Sequence, residues 1–171
     1  MISTFLGIDP GLSGALALYD PAADALTVYD VPVHELKRNG KTKREVDAQG
    51  LVDLIVSLAA DRPRAFIENS TPMPGQGAAS TFAFGKTFGI LFGVLAAQKL
   101  VIERVAPVKW KRDLAVPKDK DGARARASTL LPAHSANWPL VKHDGRAEAA
   151  LIALWGSRQF EAFQPQEGEQ P

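Results

Sequence analysis

The chain has 171 residues, 46% of them hydrophobic and 23% charged, with a net charge of +1 and no cysteine. That length fits one domain with a real core, and the missing thiols exclude disulfides, thiolate zinc sites and cysteine nucleophiles. Met1 is followed by no charged n-region and no long apolar stretch, and the most apolar segment, residues 87–98, is too short for a bilayer. A cytoplasmic protein is expected.

Residues 3–8 read as a strand and Gly11-Leu-Ser-Gly14 as a turn into a second strand at 15–19. Asp20-Pro21 turns the chain again, into a third strand over 25–33. Residues 35–44 read as a polar loop containing Asn39-Gly40. Asp47 then caps a helix over 48–60, where Leu51, Leu54, Ile55 and Leu58 fall at helical spacing. Residues 64–68 form a short strand, apolar without alternation, as a buried central strand is. A Pro/Gly loop at 71–79 leads to a helix over 80–99. Its Gly85, Gly89 and Gly93 share one face, a spacing that implies close approach to the sheet or to another helix. A strand at 101–105, helices at 108–114 and 121–131, a loop at 132–142 and a last helix at 144–160 follow, with a frayed tail at the end.

The order is β-β-β-α-β-α-β-α-α-α. An antiparallel meander comes first, and the strands reached through helices are parallel. The fold class is therefore α/β, with a mixed five-stranded sheet flanked by helices. One domain is expected over residues 1–160, with a flexible tail over 161–171.

Four acids fall where distant segments can meet. Asp9 ends the apolar run Phe5-Leu-Gly-Ile8, and Glu68 ends Ala65-Phe-Ile67. Asp144 and Glu148 stand four apart, on one face of the last helix. Taken singly, each has an ordinary explanation. Asp-Pro-Gly is turn chemistry, and acids favour helix N-termini. Together they make a carboxylate cluster that repels itself unless a cation sits among the oxygens. Such hard ligands suit Mg²⁺ or Mn²⁺, and paired ions of this kind cut phosphodiesters.

The basic residues cluster too. Lys37, Arg38, Lys41, Lys43 and Arg44 form one run, and residues 104–126 carry a net +5. Either run is also ordinary for a solvated surface; beside carboxylates they suit a polyanion. Lys37, Arg38, Lys41, Lys43, Arg44, Gln76, Lys109, Lys118 and Lys120 are the candidate DNA contacts. Met73, Gln76, Phe82 and Phe84 could reach bases, and Phe82 and Phe84 could as easily pack inward. Trp110 reads as core. His143 reads as a ligand, a general acid or a helix-entry residue.

Gly7-Ile-Asp-Pro-Gly-Leu-Ser-Gly14, Phe66-Ile-Glu-Asn69, Pro107-Val-Lys-Trp-Lys111 and Lys142-His-Asp-Gly-Arg-Ala-Glu-Ala149 occur in the order found in Holliday-junction resolvases of the RuvC type. Over residues 2–155 the chain resembles that family, and within it the phage-borne and plastid branch. The resemblance implies a ribonuclease H-like fold, a homodimer, and Mg²⁺- or Mn²⁺-dependent paired nicking of four-way DNA junctions with two ions per active site. It implies Asp9, Glu68 and Glu148 as ligands. The remaining helix ligand is Asp144 by side-chain direction, or His143 if that residue is still in the loop. The family's lysine near the scissile phosphate corresponds best to Lys111, with Lys120 next. Related nucleases act on ribosomal RNA precursors, single strands or flaps. Two other classes stay open: an actin-like phosphotransferase lobe, which shares strand–Asp–x–Gly, and a binding module with structural acids.

Overall fold

Strand β1 (Phe5–Ile8) lies at the centre of the fold, and all four of its residues are buried. In this computed structural model residues 4–38, 40–69, 75, 77–119 and 121–163 are described. β1 pairs antiparallel with β2 (Ala15–Asp20), which pairs antiparallel with β3 (Ala25–Asp30). On its other side β1 pairs parallel with β6 (Arg64–Glu68), and β6 with β7 (Ile102–Val105). The sheet order is β3-β2-β1-β6-β7, the mixed five-stranded sheet expected from the sequence.

Alternation along β1 sends Leu6 and Ile8 to one face and Phe5 to the other. The Leu6 face is covered by α1 (Ala48–Leu58), through Leu51 and Ile55, and by α2 (Ala78–Ala97), through Leu91 and Leu95. Asp47 caps α1 as expected, accepting from the Gly50 N–H at 3.1 Å. The opposite face carries α5 (Asp144–Phe163), itself covered by α3 (Pro107–Asp113) and α4 (Gly122–Leu130). Residues 149–155 are buried without interruption, because α5 has protein on both sides.

Gly7 explains how closely α5 lies on β1. A side chain there would run into the Ala149 carbonyl and the backbone of Ala153. The helix axis therefore sits directly over the strand that ends at Asp9.

Three expectations need correcting. The polar loop over 35–44 is a hairpin: β4 (Val33–Arg38) pairs with β5 (Lys41–Val46) as a separate two-stranded sheet. The expected third strand accordingly ends at Asp30, and the chain enters β4 after Val31-Pro32. Neither face of the hairpin is apolar, so it carries no period-2 signal. Asn39-Gly40, a turn pair favoured in two-residue hairpins, was its trace in the sequence, and Gly40 has φ +72°.

The glycine face of α2 is the second correction. Gly85, Gly89 and Gly93 approach neither the sheet nor another helix, and a Cβ at any of them would meet nothing within 4 Å. The buried stripe of α2 is Thr87, Leu91 and Leu95 instead. The third correction concerns length. α2 has 20 residues and is apolar enough, by length and composition alone, to cross a membrane. In this fold it packs on α1 and the sheet, and Lys86 bonds Glu45 of the hairpin at 2.7 Å.

The loop expected over 71–79 lies largely outside the described residues, and α2 begins at Ala78, inside its expected end. Met73, Gln76, Lys120 and the tail from 164 onward also lie outside them. α5 runs on to Phe163, past the expected domain end at 160.

Candidate active site

β1 and β6 are parallel neighbours, so both deliver their C-terminal ends to the same edge of the sheet. Asp9 follows the end of β1 and Glu68 is the last residue of β6. α5, lying over β1, brings Glu148 to the same place. One carboxylate oxygen from each of Asp9, Glu68 and Glu148 lies within 4.8 Å of the others. The turn after Asp9 is closed by Gly14 N–H to Gly11 O at 3.0 Å, and Gly11 N–H donates to Asp9 Oδ1 at 3.4 Å. Gly145 lets the first turn of α5 approach. A Cβ there would clash with the Ser13 carbonyl and stand 2.9 Å from Asp9 Oδ2.

Burial and crowding are costly to the charged forms of Asp9 and Glu148. Burial, then the Glu148 and Glu68 carboxylates, push the Asp9 carboxyl up to about 7. Burial raises Glu148 too, against the opposing pull of Lys111. Lys111 Nζ lies 2.6 Å from Glu148 Oε1. Burial works against its ammonium, but the hydrogen bond and charge of Glu148, followed by the charges of Glu68 and Asp9, hold its pKa above the usual lysine value. The cluster thus borrows one internal cation. Its donor set is carboxylate oxygen without imidazole or thiolate, which fits a hard divalent ion.

The sequence treated Trp110 as core. It is core, at 0% exposure, but its indole N–H also donates to Glu68 Oε2 at 2.8 Å. α3 therefore grips two members of the cluster with adjacent residues, Glu68 through Trp110 and Glu148 through Lys111. The only hint in the sequence was the position of Trp110 beside Lys111. Trp110→Phe keeps an aromatic ring in the core and removes the donor. It is expected to cost about 1.5–3 kcal/mol, the range for a hydrogen bond to a charged group; an unchanged denaturation midpoint would mean the bond holds nothing.

Asp144 begins α5 and lines the same cleft, but it is not among the three acids within 4.8 Å. Arg124 Nε holds it at 3.1 Å, and Asp121 takes another edge of that guanidinium. His143 sits in a short 3₁₀ turn, where its Nδ1 accepts from the Leu140 N–H at 3.3 Å, and it lines a different cavity. The cleft over the acids measures about 1060 Å³. Lys111, Arg112, Lys118 and Lys142 line it, together with Val108 and Val141. Val108 is 75% exposed, an apolar wall the sequence gave no reason to expect.

The basic hairpin stands beside this edge. Arg44 donates to the Leu12 carbonyl at 3.0 Å and to Ser13 Oγ at 3.4 Å, tying β5 to the turn after Asp9. Lys37 and Lys43 are exposed, and Lys43 pairs with Glu45 at 3.3 Å. The side chains of Arg38 and Lys41 are outside the described set. Lys109 lies 5.0 Å over the Trp155 ring and does not line the cleft. Phe82 is 75% exposed and Phe84 half-buried.

No protein-family model matches the chain. It is similar to the chloroplastic Holliday junction resolvase MOC1 of Chlamydomonas reinhardtii, 27% identical over 162 residues, which covers 79% of this chain and 18% of that protein. The chain thus spans less than a fifth of the curated relative it matches. A Thermus thermophilus RuvC solved in complex with Holliday junction substrate superposes with a TM-score of 0.62 at 14% identity, over 94% of this chain and 96% of that one. The yeast mitochondrial Holliday junction resolvase Ydc2 gives 0.55 at 16%, over 93% and 80%. The fold is the ribonuclease H-like fold of RuvC, and the resemblance carried by the four motifs extends over nearly the whole chain.

Proposed function

We propose that this protein is a metal-dependent endonuclease that resolves four-way DNA junctions by paired nicks. One observation carries the reading: three carboxylates from two parallel strand ends and a helix converge, with a lysine beside them, and Asp9, Glu148 and that lysine line an open cleft with a basic rim. Asp9, Glu68 and Glu148 would hold Mg²⁺ or Mn²⁺, two ions per site, with Asp144 as fourth ligand once a cation competes with Arg124. When bound, such ions supply Lewis acidity to the attacking water and to the departing 3′ oxygen. Lys111 donates to charge developing on the phosphate. Trp110 holds Glu68 against rotation. Lys37, Lys43, Arg44 and Lys118 neutralise backbone phosphates, with Arg38, Lys41, Gln76, Lys109 and Lys120 as further contacts.

The reading includes a homodimer, since paired nicks need two sites related by symmetry. The outer side of α2, with its open glycines and exposed Phe82, is surface available to a second copy. It also takes a single nuclease domain, which α5 carries as far as Phe163, and the cytoplasm as the location.

Labelled immobile junctions, linear duplex, single strands, flaps and RNA–DNA hybrid, each with Mg²⁺ or chelator, are the test. Symmetric metal-dependent nicks confined to the junction, by a protein that sediments as a dimer, are expected. Preference for another substrate would keep the metal nuclease and discard the junction; no cutting of any would overturn both.

A further inference from the structure

A second cavity, of about 290 Å³, opens on the other side of the turn that carries Asp9. Ser13, Gly14 and Lys142 line both cavities, so the turn is a shared wall and Lys142 stands at its edge. On one side are the carboxylates. On the other, three cations arrive from separate elements: Arg44 from β5, Lys142 from the 3₁₀ turn before α5, and Arg146 from the first turns of α5. Asp30 is the one acid lining this cavity among the described residues. It takes Arg146 through two hydrogen bonds of 2.6 Å. Arg146 first, then His143 and Lys142, hold its carboxyl below the usual carboxylate range. Three cations against one acid leave a net positive pocket.

We infer that this pocket is an anion site for a backbone phosphate of the cut strand, next to the phosphate that lies on the acids. The inference rests on the nuclease reading and names a subsite for it. Two fixed groups shape the pocket. Arg44 is braced on Leu12 O and Ser13 Oγ, and Arg146 is braced on Asp30 and on the Asn137 carbonyl at 3.3 Å. Lys142 is exposed and supplies the mobile charge. A strand crossing the Gly11–Gly14 turn would set one phosphate on each side of it. The cation side would then fix the register of the strand, while the acid side does the chemistry. Bracing matters because a preorganised donor loses less freedom on binding than a loose one.

The test is a methylphosphonate scan along the cut strand, read as junction affinity in chelator across a salt series. For wild type, one neutralised position beside the scissile phosphate is expected to weaken binding severalfold. Lys142→Ala should lose affinity on native DNA, flatten the slope of log K against log salt by about 0.9, and lose nothing more at that one position. Lys142→Arg should restore both. Asp30→Asn, which removes the pocket's one negative charge and leaves an amide oxygen to accept from Arg146, should tighten binding. Wild type that binds junctions while Lys142→Ala keeps its slope and its methylphosphonate sensitivity would overturn the pocket alone. Wild type that binds no DNA would overturn the nuclease reading, and the pocket with it.

Discussion

Asp9→Asn should abolish junction cutting, keep junction binding, and make the metal-free protein more stable. The first effect follows from losing a carboxylate at the centre of the cluster. A single lost electrostatic donor in an active site costs about 10²–10³-fold, and a lost metal ligand should cost more. Binding survives because phosphate contacts supply it. The third effect comes from burial of the carboxylate first, with the Glu148 and Glu68 charges adding to it. The native Asp9 carboxyl titrates at about 7, against an ordinary value of 3.8. Between those values the folded protein keeps a proton that the unfolded chain releases, so stability falls as pH rises through the window and is lowest above it. The shift corresponds to about 2–4 kcal/mol at pH 8. The amide of the variant carries no charge to desolvate, and the variant should melt about 5 °C higher there, with little gain at pH 4. Equal melting temperatures at pH 8 would show that the acids do not strain one another. The same proton predicts that cation affinity strengthens as pH climbs toward 7, because binding must expel it.

The central sheet was legible because burial writes plain signals. Ala65-Phe-Ile67 is apolar without alternation, and like β1 it belongs to a strand covered on both faces. Asp9 and Glu68 were legible for the same reason, since a carboxylate that ends an apolar run marks the end of a buried strand. The hairpin was not, because β4 and β5 touch the core only at their base, through Val33 and Val46, and bury no whole face that would show a period. The glycines of α2 carried real information, but about the outside of the helix. Spacing reveals that three residues share a face and is silent on what the face meets. Asp144 and His143 could not be separated by sequence, because both fall in the window where the helix begins. The structure puts His143 in a 3₁₀ turn facing the second cavity and Asp144 at the first position of α5, on the cleft. The link from Trp110 to Glu68 joins residues 42 apart in the chain, and no local pattern encodes such a pair.

Lys111→Met should disable cutting as Asp9→Asn does, yet move stability the other way. The substitution keeps an unbranched stem and deletes the ammonium that lies 2.6 Å from Glu148 Oε1. Cutting at saturating metal should fall about 10²–10³-fold through loss of a donor aimed at the phosphate. Three converging carboxylates then have no internal cation, and the metal-free protein should lose about 1–2 kcal/mol at pH 8, tempered by the partial exposure of the lysine. The loss should shrink as pH falls below 7, where Asp9 is protonated and there is less charge to compensate. In the double variant the two stability effects should not add, because Lys111 has one acid fewer to neutralise. Additive effects would mean that the two groups do not sense each other, and that the cluster is a coincidence of surface charge. Normal cutting by Lys111→Met would remove the lysine from the chemistry and leave it a structural counter-ion for Glu148.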